Sequence, residues 1–356
     1  MVPDATVSDA MNPSDDAAAR AARSPAVSVV MTVLDEARHL EESVLRSLAQ
    51  DYDGELEVVV SVGRSADGTR EVADRLAAST GGRVVVVDNP DPRGATPAGL
   101  NAAVARARHD VLVRVDGHSM LPPGYVATAV EALLATGADN VGGVMAAEGS
   151  TPFERVVARA MTTKLGVGSA PFHTGGRAGP AESVYLGVFR RAALERVGGY
   201  DEHYLRAQDW ELNHRLRSAG GLVWFDPRLR VSYRPRSSPS ALARQYFHYG
   251  RWRRAIVRRD TSTLSPRYLA PPAAVVGAGA GLALGLRWRP ALVLPAGYAA
   301  LLLAGSAALG GGLGVRGRVA LAAVYGVMHV AWGAGFLTSP RALAGARSPI
   351  SPAEGG

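Results

Sequence analysis

Two short polar motifs carry the residues best suited to chemistry in this sequence. The motif Asp116-Gly117-His118 closes an apolar run over residues 111–115 that has the composition of a buried strand. A carboxylate and an imidazole two positions apart at a strand end can face one bound cation, and this ligand pair suits Mn²⁺, with Mg²⁺ as an alternative. The competing interpretation is an aspartate that caps the next helix and a histidine that faces solvent.

The second motif is a carboxylate near the start of a predicted helix over Gln208–Ser218. Asp209 lies in the first turn of this helix, where the helix dipole stabilises the ionised form of a carboxylate. That position suits a helix cap and equally a general base. Glu211 and Arg215 are four positions apart and can pair along one helix face. The residues alone leave both roles of Asp209 open.

Strand and helix patterns alternate along the chain and predict the elements that position the first motif. The predicted strands are 27–33, 56–62, 83–88 and 111–115, and the predicted helices between them are 36–49, 69–79 and 97–107. This alternation predicts an α/β fold with a mostly parallel, mixed sheet and helices on both faces. Ligands bind such sheets beyond the carboxyl ends of the strands. The segments 34–36, 63–67, 88–90 and 116–118 are therefore the predicted ligand-binding loops.

Composition excludes several other classes of protein. The 356 residues are 47% hydrophobic and 20% charged, which excludes disorder for most of the chain. The absence of cysteine excludes disulfides, thiolate metal sites and cysteine nucleophiles. The net charge is +7, but Lys164 is the single lysine among 39 basic residues. So uniform an arginine bias indicates base composition rather than a phosphate-binding surface, and we expect no nucleic acid partner.

Three uncharged, Gly- and Ala-rich runs at 268–286, 290–315 and 319–340 predict membrane helices. Each run approaches or exceeds the roughly 20 residues that a helix needs to cross a bilayer. Three buried helices of a soluble domain are the alternative. The first 24 residues contain four aspartates and no apolar core, so we expect no secretory signal. The predicted organisation is a disordered leader (1–24), a catalytic domain (25–237), a basic interfacial helical segment (238–267), a membrane anchor (268–340) and a flexible tail (341–356).

The flank before the first apolar run is strongly basic and predicts the orientation in the membrane. The positive-inside rule places this flank, and with it the catalytic domain, in the cytoplasm at the inner (plasma) membrane. The flank also predicts binding to anionic lipids, although a solvated helix face is an alternative. Three crossings would leave the tail outside, but Arg287 and Arg289 in the first loop fit that topology poorly, so interfacial packing of one segment remains open. His329 lies inside the third run and is either functional or neutral and packed. The arginines of the flank are Arg251, Arg253, Arg254, Arg258 and Arg259.

The motifs taken together resemble family 2 glycosyltransferases, and within them the succinoglycan-biosynthesis type. The resemblance covers roughly residues 25–260 with the motifs in the same order. It rests on the following matches: Asp116-Gly117-His118, Gly198-Gly199-Tyr200-Asp201-Glu202, Asp209-Trp210-Glu211 with Arg215 and Gly220-Gly221, Asn89-Pro90 with Gly99-Leu100-Asn101, Arg190-Arg191, and Gln245-Tyr246 with Tyr249-Gly250-Arg251-Trp252.

The resemblance implies a GT-A nucleotide-sugar-binding fold and an inverting transfer that depends on Mn²⁺ or Mg²⁺. Asp116 and His118 would hold the metal that bridges the diphosphate, and Asp209 would be the general base. The donor contacts that the resemblance implies are Leu34, Glu36, Asp67, Asn101, Asp116, Arg251 and Trp252.

Three positions depart from the family pattern. Arg64 lies where many members have an aspartate that contacts the nucleoside, and Gln208 replaces the first acid of the usual pair before the catalytic helix. His118 replaces the aspartate that usually ends the metal motif, which changes the charge of the ligand set.

The function that the resemblance implies is transfer of a hexose from a nucleotide diphosphate sugar, expected to be a UDP-sugar, to a polyprenyl-linked glycan in surface or exopolysaccharide synthesis. Two alternatives remain: transfer directly to polyprenyl phosphate, and a non-catalytic membrane scaffold that retains the fold.

Overall fold

A computed structural model of the chain describes residues 24–345. Residues 1–23 of the predicted leader and 346–356 of the predicted tail lie outside the described residues. The described chain divides into two compact units. The first unit comprises residues 24–142 and 186–197, and the second comprises 143–185 and 198–345.

The described residues form eight strands and thirteen α-helices. The strands are β1 (Val27–Val33), β2 (Leu56–Val62), β3 (Val84–Asp88), β4 (Val111–Arg114), β5 (Asn140–Ala147), β6 (Gly179–Pro180), β7 (Tyr185–Arg190) and β8 (Val223–Tyr233). The helices are α1 (Leu40–Leu48), α2 (Thr69–Ser79), α3 (Thr96–Arg106), α4 (Tyr125–Thr136), α5 (Pro152–Met161), α6 (Lys164–Val167), α7 (Pro171–Thr174), α8 (Arg191–Arg196), α9 (Gln208–Ser218), α10 (Pro239–Arg259), α11 (Ala270–Gly285), α12 (Val293–Leu309) and α13 (Val315–Leu337).

The sheet of the first unit has the strand order β3-β2-β1-β4-β7, followed by the first residues of β5. Strands β1 to β4 are parallel, with Val27 opposite both Leu56 and Val111, whereas β7 runs antiparallel to β4. All seven residues of β2 are buried, as expected for a parallel strand covered on both faces. This arrangement confirms the predicted mixed α/β sheet and brings the predicted binding loops to one edge of it.

The sequence patterns located most elements of the first unit within one residue of their observed bounds. The clearest difference is the first helix, which begins at Leu40 rather than at the predicted residue 36. The backbone amides of Glu36 and Ala37 instead donate to Thr69 Oγ1 at 2.8 Å and to Asp67 Oδ2 at 3.0 Å. Side chains of the loop after β2 thus hold residues 36–39 in a turn. Helix α4, which the patterns did not indicate, buries Tyr125, Val126, Val130 and Leu133.

In the second unit, the remaining residues of β5 lie next to β8, which pairs with β6. The β6–β8 pair is antiparallel, with Gly179 opposite Phe225. The glycine-rich segment over 166–179 contains the short helix α7 and the end of α6. Helix α5 starts with a capping box: Thr151 accepts a hydrogen bond from the Glu154 amide, and the Glu154 carboxylate accepts one from the Thr151 amide.

Three C-terminal helices confirm the prediction from the uncharged runs. Within the described residues, Pro266–Gly285, Arg289–Leu309 and Val315–Leu337 are long and apolar enough to cross a membrane. The third helix, α13, joins α5, α10 and Leu302 of α12 in one apolar cluster of buried side chains. That cluster includes Val157, Met161, Leu242, Tyr246, Leu321, Val324, Tyr325 and Met328.

Candidate active site

The loops that follow β1 and β2 are bound to each other through side chains. Asp35 has a left-handed backbone with φ of 54°; its amide donates to Ser65 Oγ at 3.1 Å, and its carboxylate accepts from the Ala66 amide at 2.8 Å. These reciprocal bonds hold two of the predicted ligand-binding loops, 34–36 and 63–67, against each other.

Asp67 also links the loops that follow β1 and β2. Its carboxylate accepts from the Thr69 hydroxyl and amide and from the Ala37 amide. These bonds, with the Thr69 hydroxyl first, lower the pKa of Asp67 below its usual value, because hydrogen bonds to a carboxylate favour its charged form. In this structure Asp67 therefore shapes the loop, and its contact with a nucleotide stays a prediction.

Leu34 lies beside this polar network and is 38% exposed. A side chain at Gly63 or Gly94 would approach the methyl groups of Leu34 to within 3.1 Å, so the two glycines leave room for it. Asn101 lies on α3 and is half-buried. The predicted donor contacts of Leu34 and Asn101 remain predictions.

Asp116 and His118 follow β4, as predicted, and each has a polar neighbour in the first unit. Asp116 Oδ1 accepts a hydrogen bond from Arg114 at 2.8 Å. His118 Nδ1 lies 2.7 Å from Glu36 Oε1. Gly117 between them is required by close packing, because an added Cβ would lie 2.4 Å from Val33 Cγ1. The structure thus brings three of the predicted site residues, Glu36, Asp116 and His118, to one edge of the sheet.

The pairing of Glu36 with His118 was not apparent from the sequence, because the two residues are 82 positions apart. If the carboxylate is ionised, Nδ1 of His118 donates the proton and the lone pair lies on Nε2. A carboxylate that fixes the tautomer of a histidine is the usual support of a metal-ligating imidazole. Glu36 is placed to act through His118 in this way.

The oxygen and nitrogen ligands at this edge fit a hard divalent cation that would take most of its ligands from the substrate and from water. No cluster of three or more metal-ligating side chains occurs within residues 24–345, so Asp116 and His118 would supply two ligands. Mg²⁺ sites commonly use one or two carboxylates and complete their shell with phosphate oxygens and water. A carboxylate also offers about four lone-pair positions, so the bond from Arg114 is compatible with a metal on Asp116.

Helix α9 of the second unit carries Asp209 and Glu211 in its first turn. Glu211 is buried and receives two bonds from Arg215, Nε to Oε1 at 2.6 Å and Nη2 to Oε2 at 2.7 Å. Arg215 Nη1 also donates to the Gly199 carbonyl at 2.8 Å, which ties α9 to the Gly198-Gly199 motif. Glu211 therefore has a structural role, and the general-base role of Asp209 stays a prediction.

Asp209 is partly exposed and follows a strained residue. Ala207, which precedes α9, has a left-handed backbone with φ of 60°, a conformation that side chains other than glycine and asparagine rarely adopt. This conformation sets the direction in which the first turn of α9 starts. Strain of this kind is often found at functional sites.

A stack of aromatic and charged side chains packs against α9 and was missed in the sequence. The rings of Trp210 and His214 are stacked with 5.3 Å between centroids. The Arg253 guanidinium lies between two rings, 3.9 Å from the centroid of Trp210 and 4.3 Å from that of Tyr268. Burial lowers the pKa of Arg253 to about 10. The sequence did contain one sign of this stack: Trp210 and His214 are four positions apart on a predicted helix, so their side chains share one face.

Arg251 and Trp252, the remaining predicted donor contacts, lie on α10. Trp252 is 7% exposed and packs with Tyr204 and Ile256 in an apolar cluster. Arg251 lies 5.6 Å from the ring centroid of Phe247. The buried position of Trp252 indicates that its side chain holds α10 in place. A contact of Arg251 or Trp252 with a sugar donor stays a prediction.

Comparison with known proteins gives the family. The model of "Glycosyl transferase family 2" matches residues 28–198. The succinoglycan biosynthesis protein ExoA of Rhizobium meliloti (strain 1021) is 37% identical over 317 residues, which cover 86% of this chain and 93% of that protein. A mannosyltransferase from Pyrobaculum calidifontis, solved with GDP-Man and Mn²⁺, superposes with a TM-score of 0.62 at 23% identity, with 88% of each chain covered.

The mixed sheet of this chain is that of a GT-A glycosyltransferase. The chain belongs to glycosyltransferase family 2 and is a glycosyltransferase.

Proposed function

We propose that this protein transfers a hexose, with inversion, from a nucleoside diphosphate sugar to a lipid-linked oligosaccharide during synthesis of a surface or exported polysaccharide. The 37% identity to a succinoglycan biosynthesis protein supports the polysaccharide context. The membrane-associated chain supports a lipid-borne acceptor, because anchoring both partners raises their effective concentration. UDP is the proposed nucleotide, and a cytoplasmic catalytic domain at the plasma membrane is the proposed location.

The proposed mechanism rests on the different surroundings of the two acidic side chains in the first turn of α9, Asp209 and Glu211. Because Glu211 is engaged by Arg215, Asp209 is the carboxylate of this helix that takes the proton from the acceptor hydroxyl. The hydroxyl oxygen then attacks the anomeric carbon from the face opposite the diphosphate. The bond between that carbon and the diphosphate oxygen breaks, and nucleoside diphosphate leaves.

Asp116 and His118 would hold the divalent metal in this proposal. When bound, Mn²⁺ or Mg²⁺ supplies positive charge that stabilises the leaving diphosphate. Glu36 lies at hydrogen-bond distance from Nδ1 of His118 and would favour the tautomer that leaves Nε2 available to a metal. A mannosyltransferase with the same fold was solved with Mn²⁺, which supports a metal of this type.

The test is release of nucleoside diphosphate by the purified protein in detergent, with Mn²⁺, a lipid extract and a panel of UDP- and GDP-sugars. We expect turnover with one donor, and loss of turnover in Asp209→Asn and in Asp116→Ala. Asp110→Ala is the matched control, because Asp110 is an aspartate at the opposite end of β4 from Asp116. The side chain of Asp110 is 99% exposed. This control should retain activity.

The same assay separates the alternatives. Turnover with polyprenyl phosphate as the sole acceptor would show that the acceptor is polyprenyl phosphate itself and that the product is a lipid-linked sugar carrier. Tight binding of nucleotide without turnover of any donor would favour the non-catalytic scaffold. Turnover that survives Asp209→Asn would exclude Asp209 as the base.

A further inference from the structure

The arginines in the second half of α10 are engaged by other side chains and by the backbone of the second unit. Arg253 and Arg254 lie over aromatic rings, Arg258 donates to a carbonyl group, and Arg259 pairs with a carboxylate. These contacts hold α10 against its neighbours and leave the four arginines less available to an anionic ligand. The partners are the rings of Trp210, Tyr268 and Phe336, the Ser339 carbonyl and the Asp201 carboxylate.

Three other arginines, which we call the arginine cluster, have a different environment. Arg244 lies in the first half of α10, Arg236 lies in the loop between β8 and α10, and Arg206 lies just before α9. All three are exposed, and none of them forms an ion pair with any residue of the described range 24–345. By contrast, the nearby Arg234 pairs with Glu154 at 3.3 Å. The guanidinium groups of the cluster therefore remain available to a ligand.

The cluster converges on one stretch of α10, at His248 and Tyr249. Burial lowers the pKa of His248, and nearby positive charges, those of Arg206 and Arg244 among them, lower it further. Burial raises the pKa of Tyr249 to about 12, whereas the charges of Arg206 and Arg236 act in the opposite direction. Because Arg206 acts on both side chains, the three guanidinium groups surround one patch, and their positive charges reinforce each other there.

Two tyrosine hydroxyl groups add hydrogen-bond donors to this patch. Gln245 Nε2 donates to the hydroxyl groups of Tyr233 and Tyr249, each at 2.9 Å. Each hydroxyl therefore keeps its own proton for another acceptor, and guanidinium groups carry donors only. Tyr249 is 39% exposed, so a ligand can reach it. A patch of positive charge and hydrogen-bond donors suits an oxyanion, and arginine matches the geometry of phosphate oxygens.

The helix that carries Arg244 and Tyr249 also contacts an apolar segment. A Cβ added at Gly250 of α10 would lie 2.0 Å from the Trp332 carbonyl oxygen of α13, so the two backbones approach closely. Helix α13 is one of the three segments long and apolar enough to cross a membrane. A ligand that joins a phosphate group to a long apolar chain matches this combination. A nucleotide has no apolar chain and does not.

We propose that the arginine cluster, together with the hydroxyl groups of Tyr233 and Tyr249, binds the phosphate groups of the lipid-linked acceptor. This inference rests on the proposed function, because it assigns a binding site to the acceptor named there. Arg206 is three positions before Asp209, so an acceptor held by the cluster lies near the start of the helix that carries the proposed base. The site is distinct from the loops after β1, β2 and β4 that are predicted to bind the donor and its metal.

Binding to the detergent-purified, full-length protein tests this site without any sugar donor. The probe is farnesyl diphosphate, a short polyprenyl diphosphate, and its dissociation constant is measured by native mass spectrometry. Separate titrations use inorganic diphosphate, which has no lipid chain, and phosphatidylglycerol, which has a different phosphate headgroup. A titration with UDP reports on the donor site.

The variants remove either the charges of the cluster or one of its hydroxyl groups. The cluster variant is Arg206→Gln/Arg236→Gln/Arg244→Gln. Its matched control, Arg75→Gln/Arg83→Gln/Arg230→Gln, removes the same charge from three exposed arginines that form no ion pair within residues 24–345. Tyr249→Phe removes one hydroxyl donor and no charge. Thermal unfolding shows whether each variant is folded, and if the cluster variant is not, Tyr249→Phe decides the result.

We expect the dissociation constant for farnesyl diphosphate to rise by at least about tenfold in the cluster variant, because charge-assisted hydrogen bonds are lost. It should rise less in Tyr249→Phe and stay unchanged in the matched control, and UDP binding should stay unchanged in all three. Equal weakening in the matched control would overturn the proposal, as would unchanged binding in both the cluster variant and Tyr249→Phe. Loss of UDP binding in the cluster variant would assign these arginines to the donor instead.

The other probes identify the source of the phosphate group. Binding of inorganic diphosphate as tight as that of farnesyl diphosphate would overturn the lipid part of the proposal, and equally tight binding of phosphatidylglycerol would indicate a general lipid headgroup instead of the acceptor. Failure of the proposed function has a separate outcome. Binding of farnesyl diphosphate that depends on the cluster, in a protein that turns over no donor, would support the site and remove the enzymatic activity.

Discussion

The loops at the strand ends of the first unit carry Asp35, Glu36, Asp67 and Asp116, whereas α10 of the second unit carries six arginines and no acid. In the first unit the acidic side chains accept hydrogen bonds from amides, a hydroxyl and one arginine. In the second unit the arginines stack on rings or bind carbonyl groups, as Arg253 does with Trp210 and Arg258 does with Ser339.

This difference shows how one chain can present two opposite electrostatic environments. Acidic groups that accept several weak donors remain anionic and attract a cation. Arginines on a helix next to apolar membrane segments attract anionic lipid headgroups or phosphates. Asp209 is an exception, because it is an acidic side chain of the second unit for which we propose proton transfer rather than a structural role.

Asp209→Asn tests that exception and has the largest expected effect. We expect kcat to fall by about 10²–10⁴-fold, the usual contribution of a general base, with little change in thermal stability. Glu211→Gln is the contrasting variant: it removes the negative charge that faces Arg215 and leaves one acceptor oxygen in place of two, so it should lower the unfolding temperature. Steady-state rates and thermal unfolding of both variants provide the check. Equal loss of stability in the two variants would contradict the assignment of a catalytic role to Asp209 and a structural role to Glu211.

Glu36→Gln tests whether the acidic edge serves a metal. Loss of a carboxylate that orients a ligating histidine usually lowers metal affinity by about 10–100-fold. We therefore expect the Mn²⁺ concentration for half-maximal turnover to rise by that factor, with a parallel loss of Mn²⁺ binding measured by electron paramagnetic resonance. Glu41→Gln, an exposed glutamate on α1, is the control and should change neither. Unchanged Mn²⁺ binding in Glu36→Gln would mean that Glu36 does not support a metal ligand.

The smallest expected effect concerns acid stability of the second unit. Hydrogen bonds to Glu154, first from the Ser150 hydroxyl, lower its pKa from 4.5 to about 2. Because the pKa is lower in the folded state, Glu154 contributes stability above pH 4.5, and this contribution is lost as the pH falls towards 2. Glu154→Gln should therefore show a flatter decline of unfolding temperature between about pH 5 and about pH 3. An identical decline in both proteins would contradict this assignment.

Local patterns were sufficient to predict most of the first unit. Strands β1 and β2 and helix α2 have their predicted bounds, because runs of valine and regular apolar spacing act over neighbouring residues. The start of α1 was wrong by four residues, because the turn before it is held by Asp67 and Thr69, about thirty positions away. Interactions at that distance leave no periodic pattern in the sequence.

The sequence by itself determined the α/β class, the position of Asp116, His118 and Asp209 at element ends, and the three apolar helices, since each depends on composition and short-range spacing. Only the tertiary structure decided that Glu36 pairs with His118 and that α13 packs against α10 while α11 and α12 remain exposed. Three apolar runs of similar length look alike in sequence. Their surroundings differ because packing joins residues that are far apart in the chain.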